Sequence, residues 1–176
     1  MKKGKFLIFY AIVLVFTIFT SGCKNEPSAE LVHLEKANKQ LEANLKMYKN
    51  TWDEIINKGK IDEINETNFD KDITLISSPE NIVGIENFKS YYNNYLTGFS
   101  NVTFSIVDVF GQGDKIVKHW NFKGKHTGDF FGIPATGKEV NLDGVTLVQM
   151  KDGKIKQEQD FFDNLVFMQQ LGLISK

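Results

Sequence analysis

The chain has 176 residues, of which 41% are hydrophobic and 24% are charged, a composition that excludes a disordered chain and a fibre. Its formal net charge of -1 leaves no basic excess to neutralise a phosphate backbone, so we expect no nucleic acid partner. A single cysteine excludes an internal disulfide framework and a cysteine-based zinc site. The three scattered histidines are too few for a metal cage, and we expect neither a metal nor a cofactor.

The first 22 residues have the features of a secretory signal peptide. Three lysines precede residues 6–19, which are apolar apart from Thr17 and are short for a membrane span of about 20 residues. Small residues then precede Cys23, a pattern that resembles the lipobox of bacterial lipoproteins, whose cysteine is lipidated and becomes the first residue of the mature chain. We therefore expect an extracytoplasmic, lipid-anchored protein of the cell envelope. An uncleaved anchor with an inert cysteine is the alternative.

Residues 30–57 are predicted to form one long amphipathic helix. Its apolar residues recur every seven positions, at Leu34, Leu41, Tyr48 and Ile55. Ser28 can start this helix, which is longer than a small domain needs. We therefore divide the chain into a signal peptide over 1–22, a lipidated cysteine, tether and start of a helical stalk over 23–38, and one domain over 39–176. A coiled-coil dimer through the stalk is the alternative.

The rest of the chain changes from helical to strand periodicity near residue 100. We predict a short helical piece over 61–69, a strand over 73–77, a helix over 84–99, strands over 102–110, 115–126, 140–150 and 154–162, and a last helix over 164–171. Asp152-Gly153 is typical of a two-residue hairpin turn. This order predicts an α+β fold, in which a curved antiparallel sheet wraps around the helices as a cone. Small ligands usually occupy the open end of such a cone.

One stretch has most of a phosphate-binding loop but does not qualify as one. Residues 132–138 contain the two glycines and the lysine, yet Glu139 stands where a magnesium-binding hydroxyl is needed. The residues that follow alternate like a strand instead of opening a helix, so we predict a connecting loop.

Several motifs together resemble the SnoaL-like polyketide cyclases, which are often labelled ester cyclases. The motifs are GKHTGDFFGIPATGK at 124–138, DGKI at 152–155, EQDFFD at 158–163 and QLG at 170–172. They follow one another in the order of that family, and the resemblance covers about residues 40–172. It implies the nuclear transport factor 2-like fold, which agrees with the cone predicted from periodicity.

The resemblance also implies a catalytic position. In the family's cyclases an aspartate on the last strand is the general acid/base of an intramolecular aldol closure, and Asp160 matches it. Strand alternation places Glu158 and Phe162 on the same face, so two carboxylates can share the cavity. The Gln and His that assist this aspartate in the cyclases are Gly144 and Thr146 here. Asp160 could instead face inward only to bond a strand or helix end.

Other candidates surround this strand. His119 can act as an acid or base near neutral pH, but the strand register decides whether His119 or Trp120 points inward. Asp163 is predicted to cap the last helix, and His126 is predicted to fix its loop. The residues expected to line the ligand site are Trp120, Thr146, Phe162, Tyr91 and His126.

Three functions follow from these observations. The leading hypothesis is a lipid-anchored domain that binds a small, partly apolar ligand in its cone. The alternative is a cofactor-free acid/base enzyme (cyclase, isomerase, dehydratase or hydrolase) that uses Asp160 with help from Glu158 or His119. The third is a structural module with a filled cone. The expected partners are a small molecule, the membrane through Cys23 and a second copy of the chain.

Overall fold

A computed structural model of the protein describes residues 28–175. The predicted signal peptide at 1–22, the lipidation site Cys23 and the tether that follows it lie outside the described residues. Within residues 28–175, no helix combines the length and the apolar character needed to cross a membrane.

The first helix, α1 (Ala29–Trp52), begins at Ser28 as predicted, since the Ser28 hydroxyl accepts a hydrogen bond from the Leu31 N–H at 3.2 Å. Residues 28–40 are all exposed, whereas the last turns bury Tyr48 and Trp52. One π-helical turn (Asp53–Asn57) extends the helix. The apolar face of α1 therefore contacts the core only over its second half.

The helical piece predicted over 61–69 is wrong in extent. It is a single 3₁₀ turn, Ile61–Glu63, and the chain then turns into a strand that begins at Phe69. The side-chain amides of Asn65 and Asn68 donate to the carbonyls of Asp62 and Glu63. These local bonds compete with helical backbone bonds and favour turns.

Six strands and two further helices complete the chain. They are β1 (Phe69–Leu75), β2 (Ile82–Val83), α2 (Ile85–Gly98), β3 (Phe99–Gln112), β4 (Lys115–His126), β5 (Glu139–Lys151), β6 (Lys154–Phe162) and α3 (Asn164–Gln170). The long strands and both helices lie where the periodicity predicted them. The Asp152-Gly153 turn is confirmed by φ values of 50° and 77°, which the two-residue hairpin requires.

The strands form one sheet in the order β2-β1-β6-β5-β4-β3. The expectation of a wholly antiparallel sheet needs one correction, because β1 runs parallel to β6. Strands β3 to β6 form an antiparallel meander. Strand β1 comes before them in the chain and pairs with the free edge of β6, the last strand of the meander. Register shifts interrupt the pairing of β3 with β4 in two places and the pairing of β5 with β6 once. Such bulges bend strands, and here they curve the sheet around the helices.

The core lies between the inner face of the sheet and the helices α1 and α2. Aromatic rings dominate it, and Trp52 packs edge-on against Phe69 with ring centroids 6.3 Å apart. Phe88 of α2 packs on the same Phe69 ring at 5.4 Å. Beside Trp52 and Tyr92 the packing is incomplete, and a cavity remains.

Candidate functional site

The open end of the cone contains a small cavity of about 50 Å³, and the open space around it out to its mouth brings this to about 510 Å³. Its wall is mostly aromatic and apolar, with a carboxylate and an ammonium group among the lining side chains. The lining residues are Trp52, Ile56, Tyr92, Tyr95, Phe104, Lys118, Trp120, Phe122, Leu142, Asp160 and Phe162. A largely apolar concavity with a few polar groups is the usual form of a small-molecule site.

Asp160 lies on the cavity wall with both carboxylate oxygens oriented by hydrogen bonds. Its Oδ2 accepts a bond from the Tyr92 hydroxyl at 2.9 Å. Its Oδ1 accepts a bond from the hydroxyl of Thr146, which lies directly opposite on β5. Strand alternation turns both side chains inward, as predicted. Asp160 is therefore held in one orientation at the edge of the cavity.

Trp120 supports this arrangement from the next strand. Its indole N–H donates to the Thr146 hydroxyl oxygen at 3.0 Å, so the bonds run from Trp120 through Thr146 to Asp160. The indole occupies the space above Gly144, its cross-strand partner. A Cβ atom at Gly144 would lie 2.2 Å from Cζ2 of Trp120. The lack of a side chain at Gly144 therefore leaves the space that the indole of Trp120 occupies.

Glu158 lies deeper on the same face of β6 and is fully buried. Its Oε1 accepts hydrogen bonds from the Tyr48 hydroxyl at 2.6 Å and the Trp52 indole N–H at 3.0 Å. Burial raises the pKa of Glu158 to about 7, while the charge of Lys118 opposes this rise and that of Asp160 adds to it. Glu158 is thus a mixture of protonated and ionised forms near neutral pH.

Tyr92 joins the two carboxyl groups. Its hydroxyl oxygen lies 2.9 Å from Oδ2 of Asp160 and 3.3 Å from Oε2 of Glu158. A phenol has one proton to donate, so it can serve one carboxylate at a time. Protonated Glu158 can supply the other proton by donating to the phenol oxygen. The three side chains can therefore share protons along one short path.

Lys118 is the cation of the site and is 3% exposed. Its Nζ lies 4.4 Å from the ring centroid of Trp52 and 5.4 Å from that of Phe104, within the range of cation–π attraction. Burial lowers the pKa of this ammonium, while the charges of Glu158 and Asp160 oppose the decrease. Lys118 was not among the residues predicted from the sequence. Lys118 alternates in phase with the buried apolar residues Ile116, Trp120 and Phe122 of β4, and this spacing indicates that its side chain points inward.

The structure brings part of the predicted site together. Asp160, Trp120 and Phe162 line the cavity, and Thr146 lies fully buried behind Asp160. His119 is not brought to the cavity, which corrects the expectation that it assists Asp160. It lies on the outer face of the sheet, 45% exposed, with Nε2 3.9 Å from Asp143 Oδ1. The register turns Trp120 inward, and the preceding residue must then point outward.

Tyr91 and His126 also lie outside the cavity wall, which corrects their assignment as ligand-binding residues. Tyr91 packs on Phe131 with ring centroids 5.1 Å apart, and its neighbour Tyr92 takes the inward position on α2. His126 is fully buried, and its Nδ1 lies 3.1 Å from the Thr136 hydroxyl. The interpretation of His126 as the residue that fixes its loop is thus confirmed.

Asp163 caps α3 as predicted, because its carboxylate accepts a hydrogen bond from the Val166 N–H at 2.9 Å. Within residues 28–175, no group of three or more His, Cys, Asp or Glu side chains is placed to hold a metal ion. The expectation that the protein uses neither metal nor cofactor stays a prediction.

Comparison with known proteins agrees with this geometry. The family model described as SnoaL-like polyketide cyclase matches residues 46–171. The chain belongs to the SnoaL-like polyketide cyclase family. The match contains Asp160, Lys118 and the whole polar network described above. The resemblance drawn from the sequence motifs is confirmed.

Two curated proteins match a shorter stretch of the chain. The aklanonic acid methyl ester cyclases DnrD of Streptomyces peucetius and DauD of Streptomyces sp. strain C5 are both 39% identical to this chain over 49 residues. That stretch is 28% of this chain and 34% of DnrD or 30% of DauD. The match thus spans about a third of the length of these curated relatives.

Solved structures of other bacterial proteins share the fold. TsrD from Streptomyces laurentii superposes with a TM-score of 0.67 at 22% identity, covering 75% of this chain and 97% of TsrD. A SnoaL-like polyketide cyclase from Agrobacterium tumefaciens gives a TM-score of 0.59 at 16% identity, covering 72% and 95%. At these identities the likeness establishes the fold alone. The α+β cone predicted from periodicity is confirmed.

Proposed function

We propose that the protein binds a small, partly apolar molecule in the cavity at the open end of its cone. The observation that carries the proposal is the oriented Asp160 carboxylate on an aromatic cavity wall. Membership of the SnoaL-like family supports it. A cavity of about 50 Å³ beside Asp160 disfavours a structural module whose cone is completely filled.

Two leucines offer a matched test of ligand binding. Leu142 lines the cavity, whereas Leu165 is exposed on α3. The protein should be purified without stripping bound molecules, and native mass spectrometry should compare the wild type with Leu142→Phe and Leu165→Phe. We expect a small-molecule adduct in the wild type and in Leu165→Phe that is lost in Leu142→Phe, since the larger ring fills the cavity. An adduct that persists in Leu142→Phe, or a wild type that binds no member of a small-carbonyl library, contradicts the proposal.

The second candidate is a cofactor-free acid/base enzyme. The observation that favours it is the path shared by Asp160, Tyr92 and Glu158, whose pKa of about 7 suits proton transfer near neutral pH. Asp160 would take a proton from a carbon beside a carbonyl group, the electron pair of that C–H bond would form a C=C bond, and the π pair of the C=O bond would move to the carbonyl oxygen. The proton would then return to oxygen or carbon. An aldol closure like that of the family's cyclases is one outcome of this step.

Proton exchange in deuterated water separates the two candidates. An enzyme of this kind exchanges the hydrogen beside the ligand's carbonyl for deuterium, and NMR measures the rate. We expect Asp160→Asn to lower that rate by about 10²- to 10⁴-fold with little change in affinity. A wild type that binds the ligand without exchange is a binding protein, and the enzyme candidate is then rejected.

We also propose that the mature protein is anchored outside the cytoplasm by a lipid on Cys23. The pattern of residues 1–23 supports this proposal. Mass spectrometry of the N-terminal peptide should show a lipidated cysteine, and Cys23→Ser should move the protein from the membrane fraction. An unmodified Cys23 in a membrane-bound chain contradicts lipidation and favours the uncleaved anchor.

A homodimer through the outer face of the sheet is proposed as well. Phe110, Leu147 and Phe161 are exposed there, with Val117 and Val145 between them on neighbouring strands. A second copy of the chain would cover this apolar patch, and exposed patches of this kind mark association sites.

A further inference from the structure

Lys118 is a buried cation that the polar network of the site leaves without an acceptor. Among the lysines of residues 28–175, Lys118 is the one that is buried. None of the salt bridges in this part of the chain includes it. Its Nζ lies over the Trp52 ring, and a ring face attracts an ammonium without offering it a lone pair. An ammonium taken from water without an acceptor is unfavourable.

The two carboxyl groups of the site are already bonded elsewhere. Asp160 accepts bonds from Thr146 and Tyr92, and Glu158 accepts bonds from the Trp52 indole and a tyrosine hydroxyl. Lys118 lines the cavity together with Asp160. The three N–H donors of Lys118 therefore need an acceptor, and a ligand bound in the cavity can provide one.

We propose that Lys118 anchors an anionic oxygen of the ligand, so that the cavity selects small apolar molecules with a carboxylate or an enolate oxygen. This inference rests on the proposed function, because it specifies the ligand of the same cavity. If the protein is an acid/base enzyme, the same ammonium neutralises the oxygen that receives the electron pair when Asp160 removes a proton. Lys118 then supplies the electrostatic stabilisation that such a step needs.

Matched probes test the preference without knowledge of the natural ligand. Cyclohexanecarboxylate and cyclohexanecarboxamide have nearly the same shape and differ by one negative charge. Both tryptophans of the chain line the cavity, so quenching of intrinsic fluorescence reports binding of either probe. We expect the wild type to bind the carboxylate at least about tenfold more tightly than the amide, as a charge-assisted hydrogen bond predicts.

Two lysine variants locate the source of that preference. Lys118→Met removes the charge and keeps an unbranched side chain in the same space. Lys123→Met removes an exposed lysine from the same strand and is the control. We expect Lys118→Met to bind both probes equally while keeping the affinity for the amide. Lys123→Met should retain the wild-type ratio.

The outcomes separate this inference from the function on which it rests. Equal binding of the two probes to the wild type overturns the role of Lys118 and leaves a small-molecule site in place. A preference that survives Lys118→Met also overturns it. Failure of both probes to bind the wild type, together with no adduct in native mass spectrometry, contradicts the proposed function itself. The wild-type comparison can overturn the inference even if Lys118→Met does not fold.

Discussion

Glu158 and Asp160 lie two residues apart on one face of β6, yet the structure gives them different surroundings. Helix α1 covers Glu158 with Tyr48 and Trp52, so this carboxyl group is fully buried and has three donors around it. Asp160 faces a cavity with an open mouth. Strand alternation alone places both acids on the same inner face. The side chains of α1 pack over Glu158 and exclude it from the cavity, whereas Asp160 stays accessible from the cavity mouth.

The largest expected effect comes from removing each acid in turn. Glu158→Ala leaves the buried donors of Tyr48 and Trp52 without an acceptor and opens a void, so we expect it to lower the free energy of unfolding by about 3–5 kcal/mol. Asp160→Ala should lower it by only about 1 kcal/mol, because water can reach its donors through the cavity mouth. Urea denaturation at about pH 5 measures both. Similar losses in the two variants would contradict the distinction drawn between the acids.

The pH dependence of stability sharpens the same comparison. The pKa of Glu158 is raised from 4.5 to about 7, so the folded state favours its protonated form. Its stabilising contribution is present below pH 4.5 and is lost as the pH rises through about 7. Glu158→Gln keeps acceptors for Tyr48 and Trp52 and does not ionise. We therefore expect the wild type to lose about 2–3 kcal/mol relative to this variant between about pH 4.5 and pH 8.

A second variant controls this measurement. The charge of Lys118 lowers the pKa of Glu158, so Lys118→Met should move the upper end of the pH window to a higher pH. Unfolding curves that remain parallel for the wild type and Glu158→Gln across the window would show that burial does not raise this pKa.

At the open end, Gly144→Ala tests whether Trp120 occupies the position described. The added Cβ would lie 2.2 Å from the indole, so we expect a loss of about 1–3 kcal/mol and a shift in tryptophan emission. In a Trp120→Phe background the smaller ring does not reach Gly144, and the loss should shrink. A loss that is unchanged in that background means that the clash lies elsewhere. Chemical denaturation of the four chains completes the cycle.

The smallest effect on folding is expected on the outer face of the sheet. Leu147→Thr replaces an exposed side chain, so the free energy of unfolding should change by no more than about 0.5 kcal/mol. If the patch holds a second copy, sedimentation velocity should show a weaker dimer. A monomer at all concentrations in the wild type contradicts the proposed dimer.

Much of the architecture was predictable from periodicity. The bounds of β4 and β6, the hairpin turn at Asp152-Gly153 and the cap at Asp163 all depend on local patterns, and local patterns are visible in one sequence. The prediction of a helical piece over 61–69 was wrong. There the side-chain hydrogen bonds of Asn65 and Asn68 to the backbone favour turns over the helix that the apolar spacing predicts.

The site was predictable only in part. Motif spacing and alternation placed Asp160, Thr146 and Phe162 on the inner face, because a period of two is independent of what packs above. The choice between His119 and Trp120 needed the register of β4 against β5, which depends on the whole sheet. Lys118 was overlooked because a lysine is almost never fully buried.

From the sequence alone come the order of the elements, the inward phase of β6 and the family of the domain. The tertiary structure decided three further things: that Gly144 makes room for Trp120, that α1 closes over Glu158, and that Lys118 faces the same cavity as Asp160. The physical reason is distance along the chain. Secondary structure depends on neighbours within a few residues, whereas the charge and accessibility of a buried group depend on side chains brought from other elements, as Tyr48 is brought to Glu158 across 110 residues.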